Sequence, residues 1–157
     1  MSSQVTATEF QQSPAIRSAV LGAAGYSGVE LCALIARNPY FELCYAYASA
    51  GRQPEPLSAL YPRFSQQLDI MVQPWTDAEI NAIAGKVDVA FLALPHEASE
   101  EVAPKLMAAG IVVVDLSGAF RLKNPALYPQ YYGYAHQQPA LLETAVYSLM
   151  EWLVKPL

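Results

Sequence analysis

Seven residues near the start of this 157-residue chain, Gly22-Ala23-Ala24-Gly25-Tyr26-Ser27-Gly28, space three glycines three positions apart. Glycines so spaced let a chain turn sharply and bring backbone N–H groups close to a pyrophosphate. The N-terminus of a following helix then attracts the phosphate charge. A GxxGxxG run alone also describes a tight structural turn, so its weight comes from a strand before it and a helix after it. Its middle glycine falls one place later than in the GxGxxG fingerprint of NAD sites, so that fingerprint's details are not assumed. Gly22, Ala24, Gly25, Tyr26, Ser27 and Gly28 are the candidate diphosphate-binding residues.

A carboxylate about 20 residues past such a turn would hold the ribose 2′-hydroxyl of NAD. The stretch at that distance is Ser49-Ala50-Gly51-Arg52, a hydroxyl and a guanidinium without an opposing carboxylate. Arg meets phosphate through a charge-assisted fork, so Ser49 and Arg52 suit a 2′-phosphate and the expected cofactor is NADP. The alternative is that Arg52 is an ordinary solvated loop charge. Ligands of open parallel sheets sit beyond the carboxyl ends of the strands, which brings in Leu94-Pro95-His96 and Ser117-Gly118-Ala119-Phe120-Arg121. There Pro95 could lie against the nicotinamide or ribose, and His96 could donate to a phosphate or merely cap the next helix. Ser117 and Gly118 could approach the nicotinamide by backbone. Arg121 could attract an anionic substrate or pair with a local acid such as Asp115.

Other chemistries find no support. Two His and two Cys lie scattered without ligand spacing, so no metal site is expected. The serines lie outside any GxSxG elbow and neither histidine has a recognisable sequence partner, which leaves a hydrolase triad without basis. Cys32 and Cys44 sit inside apolar runs and read as core thiols of a reducing compartment.

The elements that must position these residues alternate. Ile16 to Leu21 reads as a buried strand, and Tyr26 to Arg37 carries helical apolar spacing closed by Asn38 and Pro39. Leu43 to Ala48 is a second strand, Gly51 to Pro62 a long loop, and Asp69 to Gln73 a short third strand. Thr76-Asp77-Ala78-Glu79 has the spacing of a capping box opening a brief helix that stops at Gly85. Val87 to Leu94 and Ile111 to Leu116 look like central strands covered on two faces. Between them a helix over about Ala98 to Ala109 contains Pro104, where a kink is expected. Strands separated by such helices predict right-handed βαβ units, hence an α/β, Rossmann-like doubly wound parallel sheet. Beyond Arg121 the rhythm stops among Pro125, Pro129 and Pro139 and four tyrosines, and Ala140 to Leu153 offers a weakly patterned helical or irregular piece.

Nine Lys plus Arg against fourteen Asp plus Glu give a net charge of −5, which argues against nucleic acid as a partner. With 54% hydrophobic and 15% charged residues the chain can fill a core. No apolar stretch approaches the roughly 20 residues of a spanning helix. Met1 to Pro14 is polar and lacks the order of a signal peptide. No membrane association and a cytoplasmic location are expected.

From Ile16 to Trp152 the chain resembles the N-acetyl-gamma-glutamyl-phosphate reductases, NADP-dependent enzymes of arginine biosynthesis. The motifs that carry the resemblance are the turn from Gly22 to Gly28, Ala93-Leu94-Pro95-His96, Asp115 to Leu122, Tyr131-Tyr132-Gly133 and Ala145-Val146-Tyr147. Aspartate-semialdehyde dehydrogenase is similar in fold and turn, and stands as an alternative. The resemblance implies a two-domain enzyme in which NADPH reduces a thioester, formed when a cysteine displaces phosphate from an acyl phosphate. The family's Asn-Pro-Gly-Cys-Tyr-Pro-Thr type segment and its second-domain histidine have no counterpart here, and neither Cys32 nor Cys44 matches the catalytic position. Ser148 and Met150 stand where the family has Gly and Pro, and Val154-Lys155-Pro156-Leu157 looks like a family segment found beyond the cysteine, so the chain reads as shortened across the catalytic stretch. The implied organisation is an N-terminal tail over 1–14, an NADP-binding domain over 15–136 and a stub of an α+β substrate domain over 137–157. N-acetyl-glutamyl phosphate would bind only in a complete enzyme, expected to be a homo-oligomer, and the isolated chain is expected to be inactive. A non-catalytic nucleotide-binding or partner-docking module is the rival reading.

Overall fold

The computed structural model describes residues 14–148. Strand β1 spans Ile16–Leu21, the first helix α1 Tyr26–Arg37 and β2 Phe41–Ala48. The stretch from Gly51 to Pro62 is not all loop, since it contains a short strand β3, Glu55–Pro56, and a single helical turn α2, Leu57–Leu60. Pro56 is tolerated because β3 lies at the sheet edge, where one side of the strand needs no ladder hydrogen bond. Then come β4 (Met71–Pro74), α3 (Ala78–Ile83), β5 (Val89–Leu92), α4 (His96–Ala108) and β6 (Val112–Asp115). The last helices are α5, Tyr128–Tyr131, and α6, Pro139–Thr144.

The strands form one sheet in the order β3-β4-β2-β1-β5-β6, parallel except for β3 against β4. The chain builds outward from β1 through β2 and β4, then returns to β5 and β6 on the other side. That reversal, between β1 and β5, is the switch point at which such sheets bind ligands. One core lies between the sheet and α1, around Val20, Val29, Cys32, Ala46 and Val72. The other lies under α3 and α4, around Leu21, Tyr47, Ile83, Leu92 and Leu106.

The two polar residues inside β1 have local causes. Arg17 forks onto the Asp88 carboxylate, with Nη2 to Oδ1 at 2.6 Å and Nε to Oδ2 at 3.0 Å. Ser18, fully buried, donates to the Glu42 carbonyl at 2.7 Å. Both therefore satisfy their polar atoms without leaving the strand.

Three expectations need correction. The Thr76 to Glu79 capping box does not form. Asp77 is the N-cap of α3 and makes no side-chain cap bond, and the Glu79 carboxylate instead accepts from the Tyr47 hydroxyl at 3.3 Å. Strand β6 is not central, because among the described residues it pairs with β5 alone. Val112, Val114 and Leu116 on one of its faces are exposed. Cys32 is core, but Cys44 is only half-buried, at the irregularity of β2 where Ser18 pairs with Leu43 and Ala19 with Tyr45. Helix α4 runs through Pro104, from His96 to Ala108. The tail residues 1–13 and the segment Leu149 to Leu157 lie outside the described residues.

Candidate functional site

The glycine turn joins β1 to α1 at the switch point, and three strands grip it. The N–H groups of Gly22 and Ala23 both donate to the Tyr47 carbonyl of β2 at 2.8 Å. On the other side Gly22, at φ +89°, lies so close to the end of β5 that an added Cβ would stand 2.2 Å from the Ala93 oxygen. A Cβ on Gly28 would stand 2.1 Å from the Gly22 oxygen, so this glycine lets α1 pack onto the turn. Gly25 differs, being exposed in extended backbone, where a Cβ would meet only the Gly22 oxygen at 3.3 Å. Ala24, half-buried, has its carbonyl held by the Tyr61 hydroxyl at 2.8 Å.

Gly25 is the N-cap of α1 and makes no side-chain cap bond, and the first turn of the helix holds no acid. The N–H groups of Tyr26, Ser27 and Gly28 therefore carry the uncompensated positive end of a 12-residue helix. By contrast α4 has Glu97 in its first turn. A glycine cradle with an open, uncapped helix end fits the diphosphate of a dinucleotide, and the residues present are suited to hold one.

At the end of β2, Ser49 is exposed and its carbonyl accepts the Arg52 N–H at 3.1 Å, which folds Arg52 back toward the strand end. Arg52 does have an opposing carboxylate, contrary to the sequence expectation, because Nη2 lies 2.9 Å from Glu55 Oε1. The sequence hid this partner because it comes from β3, three residues on. Both side chains are more than a third exposed, and such a pair is worth at most about 1 kcal/mol. A phosphate dianion can displace it.

The ends of β5 and β6 are locked together. Pro95 is the N-cap of α4 and exposed, Leu94 packs beneath it in the core, and His96 opens the helix. The Gly118 N–H donates to His96 Nδ1 at 2.9 Å, and the Tyr132 ring stands edge-on to the imidazole at 4.8 Å. A Cβ on Gly118 would lie 2.4 Å from Tyr132 Cε1, so this glycine exists for the tyrosine. The Ser117 hydroxyl donates to Asp115 Oδ2 at 2.8 Å and accepts the Ala119 N–H at 3.0 Å, and the Ser117 N–H donates to Asp115 Oδ1 at 2.9 Å, which spends both inside the turn. Asp115 is thus engaged by Ser117 and does not pair with Arg121. The Arg121 guanidinium has no acid partner among the described residues. It donates to the Ser117 carbonyl at 3.3 Å and stands over the Tyr147 ring at 5.3 Å.

Sequence reasoning missed a second histidine site. His136 is buried, with Nε2 at 2.8 Å from the Ala119 carbonyl and Nδ1 accepting the Gln138 N–H at 3.1 Å. Glu100 of α4 approaches Nδ1 to 3.5 Å and accepts the Gln137 N–H. Ala119 and Glu100 are distant from His136 in sequence, so no spacing signals the site. Beside this junction lies a depression of about 350 Å³, but Glu97, Glu100 and Glu101 line it, which would repel a phosphate. The thiols are unfit as nucleophiles: burial pushes Cys32 up to about 12 and raises Cys44 as well. No cluster of His, Cys, Asp and Glu that could hold a metal is found among the described residues. No helix among the described residues is long and apolar enough to cross a membrane.

Comparisons with known proteins agree with this geometry. Residues 17–156 match the family model described as semialdehyde dehydrogenase, NAD binding domain. The chain is 42% identical over 142 residues to an N-acetyl-gamma-glutamyl-phosphate reductase of Pseudoalteromonas atlantica, covering 89% of this chain and 42% of that protein. It is 43% identical over 139 residues to the reductase of the same name in Yersinia pseudotuberculosis, covering 87% of this chain and 41% of that protein. The chain thus spans about two fifths of the length of the curated relatives it matches. In fold it is similar to an aspartate semialdehyde dehydrogenase from Candida albicans solved with NADP. The TM-score is 0.55 at 21% identity, covering 71% of this chain and 32% of that one. With its parallel sheet, its glycine turn at the switch point and a family match over most of its length, the chain belongs to the semialdehyde dehydrogenase NAD-binding domain family.

Proposed function

We propose that this chain is the NADP-binding part of an N-acetyl-gamma-glutamyl-phosphate reductase, with residues 15–136 forming the cofactor domain and 137–157 beginning the substrate domain. The observation that carries the cofactor assignment is the uncapped N-terminus of α1 above a glycine turn. The choice of reductase rests on identities of 42% and 43% to enzymes of that name. When bound, NADPH supplies the hydride that takes the acyl group to a semialdehyde. In this reading the N–H groups of Tyr26, Ser27 and Gly28 hold the diphosphate. Ser49 and Arg52 hold the 2′-phosphate, Arg52 exchanging Glu55 for a doubly charged partner that it can grip with two N–H bonds. The backbone of Ser117 and the Pro95 ring border the nicotinamide. Arg121, a cation without an acid partner among the described residues, faces the anionic substrate. No described residue supplies the thiol chemistry, so the chain by itself turns over acyl phosphate far below about 1 per second. A cytoplasmic, homo-oligomeric complete enzyme belongs to the same reading.

Thermal unfolding with NADP and NAD at matched concentrations tests this. A ligand that binds only the folded state stabilises it by about 2.7 kcal/mol at 100 times its dissociation constant. The expected result is a shift with NADP, little with NAD, and loss of that preference in Arg52→Ala. Unchanged NADP affinity in Arg52→Ala would overturn the 2′-phosphate assignment. A cooperative transition moved by neither nucleotide would favour a partner-docking module instead.

A further inference from the structure

Gly118 directs its N–H at Nδ1 of His96, 2.9 Å away, so that nitrogen must keep its lone pair. A neutral imidazole with an accepting Nδ1 carries its proton on Nε2. Among the described residues Nε2 has no hydrogen-bond partner, and His96 is only half-buried. The ring cannot swing away readily, because Tyr132 stands against it and also against Gly118, where no Cβ fits. His96 is therefore held in one tautomer and one orientation, with a single donor left over.

Its place on the sheet says what that donor meets. Along the carboxyl edge the order is β2, β1, β5, β6. With the 2′-phosphate at Ser49 and Arg52 beyond β2 and the diphosphate at the turn after β1, the remaining half of a dinucleotide extends over β5 and β6. His96 and Gly118 join those two strand ends. We propose that His96 is a positioning donor for the nicotinamide half of the cofactor, its Nε2–H bonding a neutral oxygen acceptor there, a ribose hydroxyl or the carboxamide oxygen. The inference rests on the cofactor reading above and adds the division of labour: phosphates are held by α1 and Arg52, and the redox end by a neutral histidine whose tautomer is fixed by Gly118.

His96→Asn and His96→Gln separate the two nitrogens. An Asn amide oxygen can take over the Nδ1 role toward Gly118 but leaves nothing at Nε2, whereas a Gln amide reaches the Nε2 position. Calorimetry on this chain compares NADPH with 2′,5′-ADP, which has the 2′-phosphate and adenosine but no nicotinamide half. One lost neutral hydrogen bond corresponds to about fivefold to tenfold in affinity. The expected result is that loss for NADPH in His96→Asn, partial recovery in His96→Gln, and 2′,5′-ADP affinity unchanged in both. Long-range ¹H–¹⁵N spectra should find Nδ1 of His96 unprotonated in the wild type. Equal NADPH affinity in wild type and His96→Asn, an equal loss for both probes, or a protonated Nδ1 would each overturn the proposal while leaving the cofactor reading in place. Wild-type chain that binds neither probe would overturn both.

Discussion

Two of the three glycines in the turn are demanded by packing and one is not. Gly22 has a positive φ and no room beside Ala93, and Gly28 has no room beside Gly22. Alanine at either position should cost roughly 3 kcal/mol or more, read as a drop in urea midpoint, because overpacking adds to any backbone strain. Gly25 has extended backbone that any residue adopts, and its missing Cβ opens toward the uncapped helix end. Gly25→Ala should stay within about 1 kcal/mol of wild type in stability yet lose at least about tenfold in NADP affinity by calorimetry. Unchanged affinity would place the diphosphate elsewhere. The sequence spelled out this turn because its causes are local, as the glycines and the helix they start are contiguous. It concealed Tyr132 over Gly118 and Glu100 against His136, since each contact joins segments distant in sequence, and it concealed Glu55 beside Arg52 because nothing in that loop signalled β3.

Among the elements, β1 and α1 run from Ile16 to Leu21 and from Tyr26 to Arg37, matching their apolar periodicity residue for residue. Periodicity failed where an element owes its existence to a neighbour: β3 is two residues long and exists only as a partner of β4, and β6 looked central because a Val-Val-Val run does not reveal which faces are covered. The join between β1 and β5 rests on Arg17 and Asp88. The guanidinium fork and the Arg17 backbone N–H hold the Asp88 carboxyl down near a pKa of about 2, against an ordinary 3.8. The unfolded chain therefore takes up this proton first as pH falls. The stabilisation is complete above about pH 4 and is lost between about pH 4 and pH 2. Asp88→Asn should melt below wild type at neutral pH, with the gap closing across that window in thermal scans. A constant gap down to pH 2 would contradict the assignment. The segment after β6 is tied to α4 by His136, whose buried ring touches Phe120, Tyr128 and Tyr134 as well as its hydrogen-bond partners. His136→Ala should cost about 3 kcal/mol, or a fall in melting temperature of about 10 °C, and a change below about 2 °C would show that this knot does not hold the segment.

Across the whole molecule, the strand order explains why residues so distant in sequence share one edge. The reversal between β1 and β5 opens the crevice, and the turn, the end of β2 and the joined ends of β5 and β6 all border it. That architecture was legible from the alternation of strand and helix signals, whereas the strand order that brings Gly22 against Ala93 was not. The most direct test maps NADP onto the folded chain by ¹H–¹⁵N correlation spectra. The account predicts that amide shifts concentrate at residues 24–28 and 49–52, with a second group at 94, 96, 117 and 118. Shifts confined to the acidic depression around Glu100 and Gln137, or spread without reference to the carboxyl edge, would contradict it.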